Sequence, residues 1–277
     1  MIRTRRRGFT LVELLVVIAI IGVLMAIAIP GTLMARAAAR KRQCLSRQGQ
    51  LAITVQLYEE NKGELPPYIY ERMEGGDKTH NIPWPVLLFE YLEKSDLRQA
   101  VRDDPDFDTS TYVIEALVCP TSLDAGQPEA LSYAANVGSW DGTAAINGVF
   151  GDGSRKLTSD KIPSGSEHTM AFAENLQATT WAIDPAPNTP ITAYVGDVGI
   201  VWMDQYATNC NDALASNTPC VFPNTCMDVA VDGAVAFARP SSLHPNGAGM
   251  SFLTGRSQFI NDDVDPAVYR TWILINE

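Results

Sequence analysis

The sequence predicts an α+β fold: a long N-terminal helix packed on a globular head with an antiparallel β-sheet. Three observations predict it. Residues 9–29 form a 21-residue apolar run, interrupted only by Thr10, Glu13 and Gly22. Ala, Leu, Arg and Gln, all good helix formers, dominate the stretch that follows, up to about Glu60. Beyond Pro66, short strand-like runs bounded by Gly and Pro mix with two helical stretches. The chain has 277 residues, 46% of them apolar and 19% charged, which suits one large or two small globular domains and excludes collagen-like or wholly disordered chains. It is long enough to bury a core without staples.

The net charge of -11 is unevenly spread. Residues 1–60 hold nine Arg and Lys against three Glu, whereas residues 61–277 hold twelve basic and twenty-nine acidic groups. An acidic body repels phosphate backbones, so no nucleic-acid partner is expected.

The N-terminus decides the class. Four Arg precede Gly8, so residues 1–8 read as a basic leader. A helix over 9–29 is about 31 Å long, enough to cross a bilayer core. A secretory signal peptide has a shorter apolar region and a small-residue cleavage site. Here Pro30 and Gly31 follow the run instead. The simplest reading is a single-pass anchor, but Glu13 argues for more. A carboxylate inside a span costs roughly a few kcal/mol and normally has a partner or a task. The span carries no basic residue, so the expected partner lies on another chain. Five basic residues just beyond the span (Arg36, Arg40, Lys41, Arg42 and Arg47) against four before it leave the positive-inside count indecisive.

The segment RRRGFTLVELLVVIAIIGVL resembles the N-terminus of type IV prepilins and pseudopilins. The resemblance implies a prepilin peptidase as partner, cutting between Gly8 and Phe9 and methylating the new Phe9 amine. It implies that Glu13 meets the N-terminal amine of a neighbouring pilin-like subunit and sets the register of assembly. It makes Pro30 the helix-kinking proline, and it places the leader in the cytoplasm, the span in the inner-membrane lipid and the head outside.

After Pro30 the helix continues as an amphipathic half over residues 30–62, with Leu45, Ala52, Val55, Leu57 and Tyr58 as its apolar pattern. Asn61-Lys62-Gly63 supplies the stop and Pro66-Pro67 confirms it. The whole helix would be about 78 Å long. The head then occupies residues 63–277. Residues 84–101 read as one amphipathic helix, with Val86, Leu87, Phe89, Leu92 and Leu97 as core. Residues 111–120 read as a short strand or helical turn. Residues 131–140, 169–175 and 191–206 read as strands, 207–228 as an irregular loop, 247–260 as a hairpin turning at Thr254-Gly255, and 264–274 as a final helix. The resemblance makes this the pilin fold, in which a sheet packs against the lower half of the long helix.

A second resemblance covers nearly the whole head. Cys44 at the helix end, W-x-x-L-L, Cys119-Pro120, SYAANVG, GVF, IPSGSEHTMAFAE and LHPNGAGMSFLTGRSQFI occur in that order. They look like the bacterial prepilin-like family carrying domain of unknown function 1559. That family has Ser-x-His-Pro-Gly-Gly near its end, then a strand ending in Ala-Asp-Gly-Ser. Here the matching residues are Ser242 to Gly247 and Leu253-Thr254-Gly255-Arg256, with Thr254 in place of the usual Asp and His168 in place of a small polar residue. A turn role survives at Gly255, whereas any ligand role of the Asp does not transfer.

Candidate chemistry is sparse. His244, in a turn before a hairpin, reads either as a ligand-contacting imidazole or as a side chain bonding the loop backbone. With three His in the chain and no H-x-x-x-H, the usual zinc spacing is missing, and no metal or other cofactor is expected. Asp103, Asp104, Asp106 and Asp108 read as a solvated acidic turn, and Asp262, Asp263 and Asp265 as cap and first-turn acids of the last helix. The cysteines Cys44, Cys119, Cys210, Cys220 and Cys226 include no C-x-x-C pair. If the head lies outside the cytoplasm, disulfides are permitted. Cys44 with Cys119 would then tie the helix to the head, and two of the last three would close the 207–228 loop. Five reduced thiols are the alternative. G-x-S-x-G, the P-loop and G-x-G-x-x-G are all missing, so no enzyme is expected.

Two functions follow as expectations. One is a structural subunit of a type IV pilus or type II secretion pseudopilus. The other is a membrane- or pilus-anchored binding module. Its acidic head would capture an extracellular ligand on Trp140, Trp181, Trp202, Tyr133, Tyr194 and Tyr206, unless those aromatics are core.

Overall fold

The computed structural model describes residues 11–74, 78–104, 107–140, 145–151, 156–176, 178, 180–182, 199–202 and 240–275. The chain divides into two compact units, one up to Arg40 and one from Lys41 onward. Helix α1 (Leu11–Lys62) contributes to both. In the first unit it is bare: every described side chain from Leu11 to Arg40 is exposed. Pro30 lies inside the helix, where its missing N–H removes one bond of the backbone ladder.

In the second unit the same helix carries a buried stripe. Cys44, Gln48, Leu51, Ala52, Val55 and Tyr58 recur at three- and four-residue intervals and face inward. Leu57, expected on that face, is 41% exposed, because its position falls between the buried rows. Gly49 lets the helix meet a turn at close range: a Cβ there would lie 2.9 Å from the carbonyl oxygen of Gly255. Gly255 itself adopts φ +81°, the left-handed conformation that its turn between two strands requires. Gln56 donates to the Leu253 carbonyl and Glu59 accepts from the Ser159 N–H at 2.6 Å, so polar bonds flank the apolar stripe. Gly63, at φ +74°, ends the helix by donating its N–H to the Glu59 carbonyl.

The principal sheet contains β3 (Tyr133–Trp140), β4 (Ala145–Asn147), β5 (Met170–Glu174), β6 (Gly199–Trp202), β7 (Gly247–Phe252) and β8 (Ser257–Asn261), in the order β4-β3-β5-β7-β8, with β6 also paired to β3. All pairs are antiparallel except β3–β6, which is parallel, so the sheet is mixed rather than purely antiparallel. Strands β1 (Ile69–Glu74) and β2 (Lys78–Pro83) form a separate antiparallel pair.

Both faces of the sheet are covered. Tyr133, Ala135 and Val137 of β3 join the core that contains the α1 stripe, and Ala134 faces a second core with Tyr269 and Ile273 of α4 (Pro266–Ile273). A register shift between Met170 and Phe172 puts the neighbours Ala171 and Phe172 on the α1 side together. Asn136, fully buried, donates to the carbonyls of Met170 and Ile273 at 2.8 and 3.0 Å, tying the sheet to the C-terminal end of α4. Asp265 caps α4 by accepting from the Ala267 N–H at 2.8 Å, as its sequence position predicts.

Residues 84–101 do not form one helix. They split into α2 (Trp84–Leu88), a tight turn over Phe89–Leu92, and α3 (Ser95–Asp103). Glu93 at φ 59° breaks the run, and the restart turns Leu97 and Val101 inward while Leu92 is only half-buried. Trp84 fills the centre, its ring 4.6 Å from Phe172 and 6.1 Å from Phe150. Residues 111–120 settle into a single helical turn, Glu115–Leu117. Of the predicted strand 191–206, Gly199–Trp202 is a strand, and the rest lies outside the described residues.

Cys44 and Cys119 form a disulfide across 75 residues of sequence, linking α1 to the segment after that helical turn. A loop of this length restricts the unfolded chain substantially, so replacing both cysteines by serine should lower stability by roughly 2–4 kcal/mol. Denaturant unfolding of the detergent-solubilised chain measures this; an unchanged midpoint would remove the disulfide from the stabilising interactions. Burial, helped by Glu64 and Tyr91, pushes the Tyr58 phenol up from 10.0 to about 12. The folded state therefore holds this proton more tightly than the unfolded state. The contribution is whole below pH 10.0 and is lost as pH rises toward about 12. Tyr58→Phe should flatten the alkaline fall in stability, read from unfolding midpoints across that window; an identical slope would contradict it.

Candidate functional site

Two places in the chain carry chemistry. The first is the N-terminal part of α1. Among the described residues it is the one helix long and apolar enough to cross a membrane. Leu11 and Ile27 are 79% and 71% exposed, an arrangement that water does not favour. Glu13 lies in the apolar part of this helix, two residues into the described range. Gly8 and Phe9 lie outside the described residues.

The second is a buried cluster in the head, built from four separate elements. Cys44 comes from α1, Cys119 follows the turn at Glu115–Leu117, Glu174 ends β5, and His244 precedes β7. All four are buried, at 1%, 4%, 2% and 5% exposure. The His244 Nε2 lies 3.3 Å from the Cys44 Sγ, 3.5 Å from the Cys119 Sγ and 3.5 Å from the Glu174 Oε1. Thr121 Oγ1 stands 2.9 Å from the Cys119 Sγ and 3.4 Å from the imidazole.

The surrounding backbone holds these groups in place. The Gly249 N–H donates to the Glu174 Oε2 at 2.7 Å, whereas the Glu174 Oε1 accepts no hydrogen bond among the described residues. A Cβ on Gly249 would lie 2.8 Å from the Gln48 Nε2 and 3.2 Å from the Glu174 Oε2, so glycine lets both side chains keep their positions against this strand. Ser242 Oγ accepts from the His244 N–H and donates to the Gly247 carbonyl, closing the turn that aims the imidazole inward. Tyr133 donates to the Cys44 carbonyl at 3.4 Å. Burial first, and the Glu174 charge second, hold the Tyr133 phenol well above its ordinary range against the pull of Arg47. The Lys41 ammonium sits 3.0 Å over the Phe259 ring, its pKa lowered by burial and supported by Glu174. A small cleft lined by Cys119, Thr121, Ser132, Glu174 and Ser241 lies beside the cluster.

The Nε2 edge of the His244 ring lies against two sulfurs and a carboxylate, while the Ser242 hydroxyl bonds the backbone of this turn. Glu174 escapes sequence reasoning, although an acid at the end of the apolar run MAFAE was the available signal. His168 is exposed, away from any such cluster. Asp103 pairs with Arg102 at 3.4 Å, and hydrogen bonds from Ser110 hold the exposed Asp108 carboxyl below its usual range. Cys210, Cys220 and Cys226 lie outside the described residues. Trp181 and Tyr133 are fully buried, which withdraws them from a ligand-stacking surface. Tyr194 and Tyr206 and the side chains of Trp140 and Trp202 lie outside the described residues.

Residues 34–267 match the family described as "Protein of unknown function (DUF1559)", and residues 3–29 match the "Prokaryotic N-terminal methylation motif". No curated protein matches the chain, and no solved structure does. With its bare apolar helix and its α+β head, the chain is a type IV pilin-like protein that belongs to the DUF1559 family.

Proposed function

We propose that this chain is a structural subunit of a type IV pilus or a type II secretion pseudopilus. The observation that carries the reading is the methylation motif over residues 3–29, joined to an apolar helix whose described side chains are all exposed up to Arg40. In this reading a prepilin peptidase cuts after Gly8 and methylates the Phe9 amine. The helix rests in inner-membrane lipid with the head outside the cytoplasm, a compartment in which the Cys44–Cys119 disulfide persists. Other pilin-like subunits then draw the helix out of the bilayer, replacing lipid by neighbouring apolar helices.

Glu13 sets the register in this scheme. A carboxylate and a methylated ammonium neutralise each other in low dielectric, where leaving either charge alone costs several kcal/mol, of order 3–5. Pairing Glu13 of one subunit with the Phe9 amine of the next would fix their axial offset. The role assigned is mechanical, with no catalytic step and no cofactor in assembly.

Glu13→Ala is expected to leave membrane insertion intact and to abolish recovery of the subunit in sheared filaments or in cross-linked pseudopilus complexes. Fractionation and immunoblotting of cells carrying the variant measure both. Incorporation at the wild-type level would remove Glu13 from assembly.

A further inference from the structure

We propose that the dithiol form of the buried cluster is a zinc site with Cys44, Cys119, His244 and Glu174 as its four ligands, and that the disulfide is its metal-free, oxidised form. A covalent staple needs two cysteines and nothing more. Here an imidazole and a carboxylate have been buried against the staple, and a buried carboxylate is costly unless something uses it. The Glu174 Oε1 is almost wholly buried, accepts no hydrogen bond among the described residues, and meets the imidazole only at 3.5 Å. The two side-chain polar atoms of nearby Gln48 are likewise buried and make no hydrogen bond among the described residues.

The geometry fits a tetrahedral ion. One donor atom from each of the four residues lies within 4.8 Å of the other three. Zinc bonds of about 2.3 Å to sulfur and 2.0–2.1 Å to nitrogen or oxygen imply donor–donor edges of about 3.3–3.8 Å. The nitrogen–sulfur distances of 3.3 and 3.5 Å and the nitrogen–oxygen distance of 3.5 Å already have these values. The two sulfurs, being bonded, stand closer than an ion requires, and breaking their bond frees them to separate; the sulfur–oxygen edges fall within 4.8 Å. The outer shell is also present: the Gly249 N–H fixes Glu174, and the Thr121 hydroxyl stands beside the Cys119 sulfur. Zinc with two thiolates and one carboxylate carries a single net negative charge, and Lys41 flanks that side of the cluster.

The exchange balances. A dithiol reductant transfers two electrons to the Cys44–Cys119 bond, becomes a disulfide itself and releases two protons, and each freed thiolate bonds Zn2+. In the reverse direction a disulfide oxidant takes the two electrons, the sulfur–sulfur bond re-forms and the ion leaves. The site does not depend on the filament reading, since it lies wholly within the head.

Cobalt titration of the full-length chain in detergent tests this, in a Cys210→Ser/Cys220→Ser/Cys226→Ser background that removes the other thiols. The phosphine-reduced protein should bind one Co2+ with the visible bands of a tetrahedral ion and a thiolate charge-transfer band, both erased by Zn2+. The disulfide form should take up none. His244→Ala and Glu174→Gln should each weaken binding by more than the roughly 10–100-fold that loss of an outer-shell partner causes. Absence of the tetrahedral spectrum, equal uptake by the oxidised chain, or unchanged affinity in both variants would overturn the proposal. If reduction alone unfolds the chain, Zn2+ should restore its near-ultraviolet circular dichroism, and failure to do so overturns the proposal. X-ray absorption of the zinc-loaded parent must show two sulfur and two nitrogen or oxygen ligands; any other donor set also overturns it, whatever the folding of the variants.

Discussion

One stripe of α1 organises the head. Leu51 and Val55 are fully buried against the sheet core, and full burial of such side chains contributes about 1.5–3 kcal/mol each. Without this stripe the Tyr133–Ala135–Val137 face of β3 and the Trp84–Phe150–Phe172 aromatic cluster would lose one wall. The helix is also the element that cannot drift: Cys44 is bonded to Cys119, Gln56 holds the Leu253 carbonyl, and Glu59 caps the Ser159 turn. One continuous element thus supplies both part of the core of the head and, nearer its start, an apolar surface suited to hydrocarbon. The sequence marks the change of duty by the basic residues between Arg36 and Arg47.

Two carboxylates stand in apolar company. Glu13 interrupts the apolar run of the N-terminal helix, and Glu174 ends a strand whose five residues are all buried. The same physical argument applies to each, because an acid is retained in such a place only when something meets it. For Glu13 the proposed counterpart is an amine on another subunit. For Glu174 it is the imidazole and sulfurs of its own head, with room for a metal once the sulfurs part.

Elements with a strong local signature were legible in the sequence. The long helix and its Gly63 stop, β3, β5, the β7–β8 hairpin turning at Thr254-Gly255 and the Asp265-capped last helix stand where periodicity and capping residues place them. The β1–β2 pair was not legible, because IYERME and KTHNIP are too polar to show alternation, although Gly75-Gly76-Asp77 between them is a hairpin-type signal. The break at Glu93 was hidden because a left-handed non-glycine residue has no distinctive spacing. The parallel pairing of β6 with β3 is a long-range choice that no local pattern encodes. The cluster escaped for the same reason. Cys44, Cys119, Glu174 and His244 lie far apart in sequence, and only the crossing of α1, β5 and the β7 turn brings them together.

Processing at Gly8 separates a filament subunit from a mere membrane anchor, and it leaves a covalent record. The intact mass of native protein extracted from membranes reads that record directly. The filament account predicts a chain that begins at Phe9 and carries one added methyl group. A chain that retains residues 1–8 would contradict it and leave the apolar helix as an anchor alone.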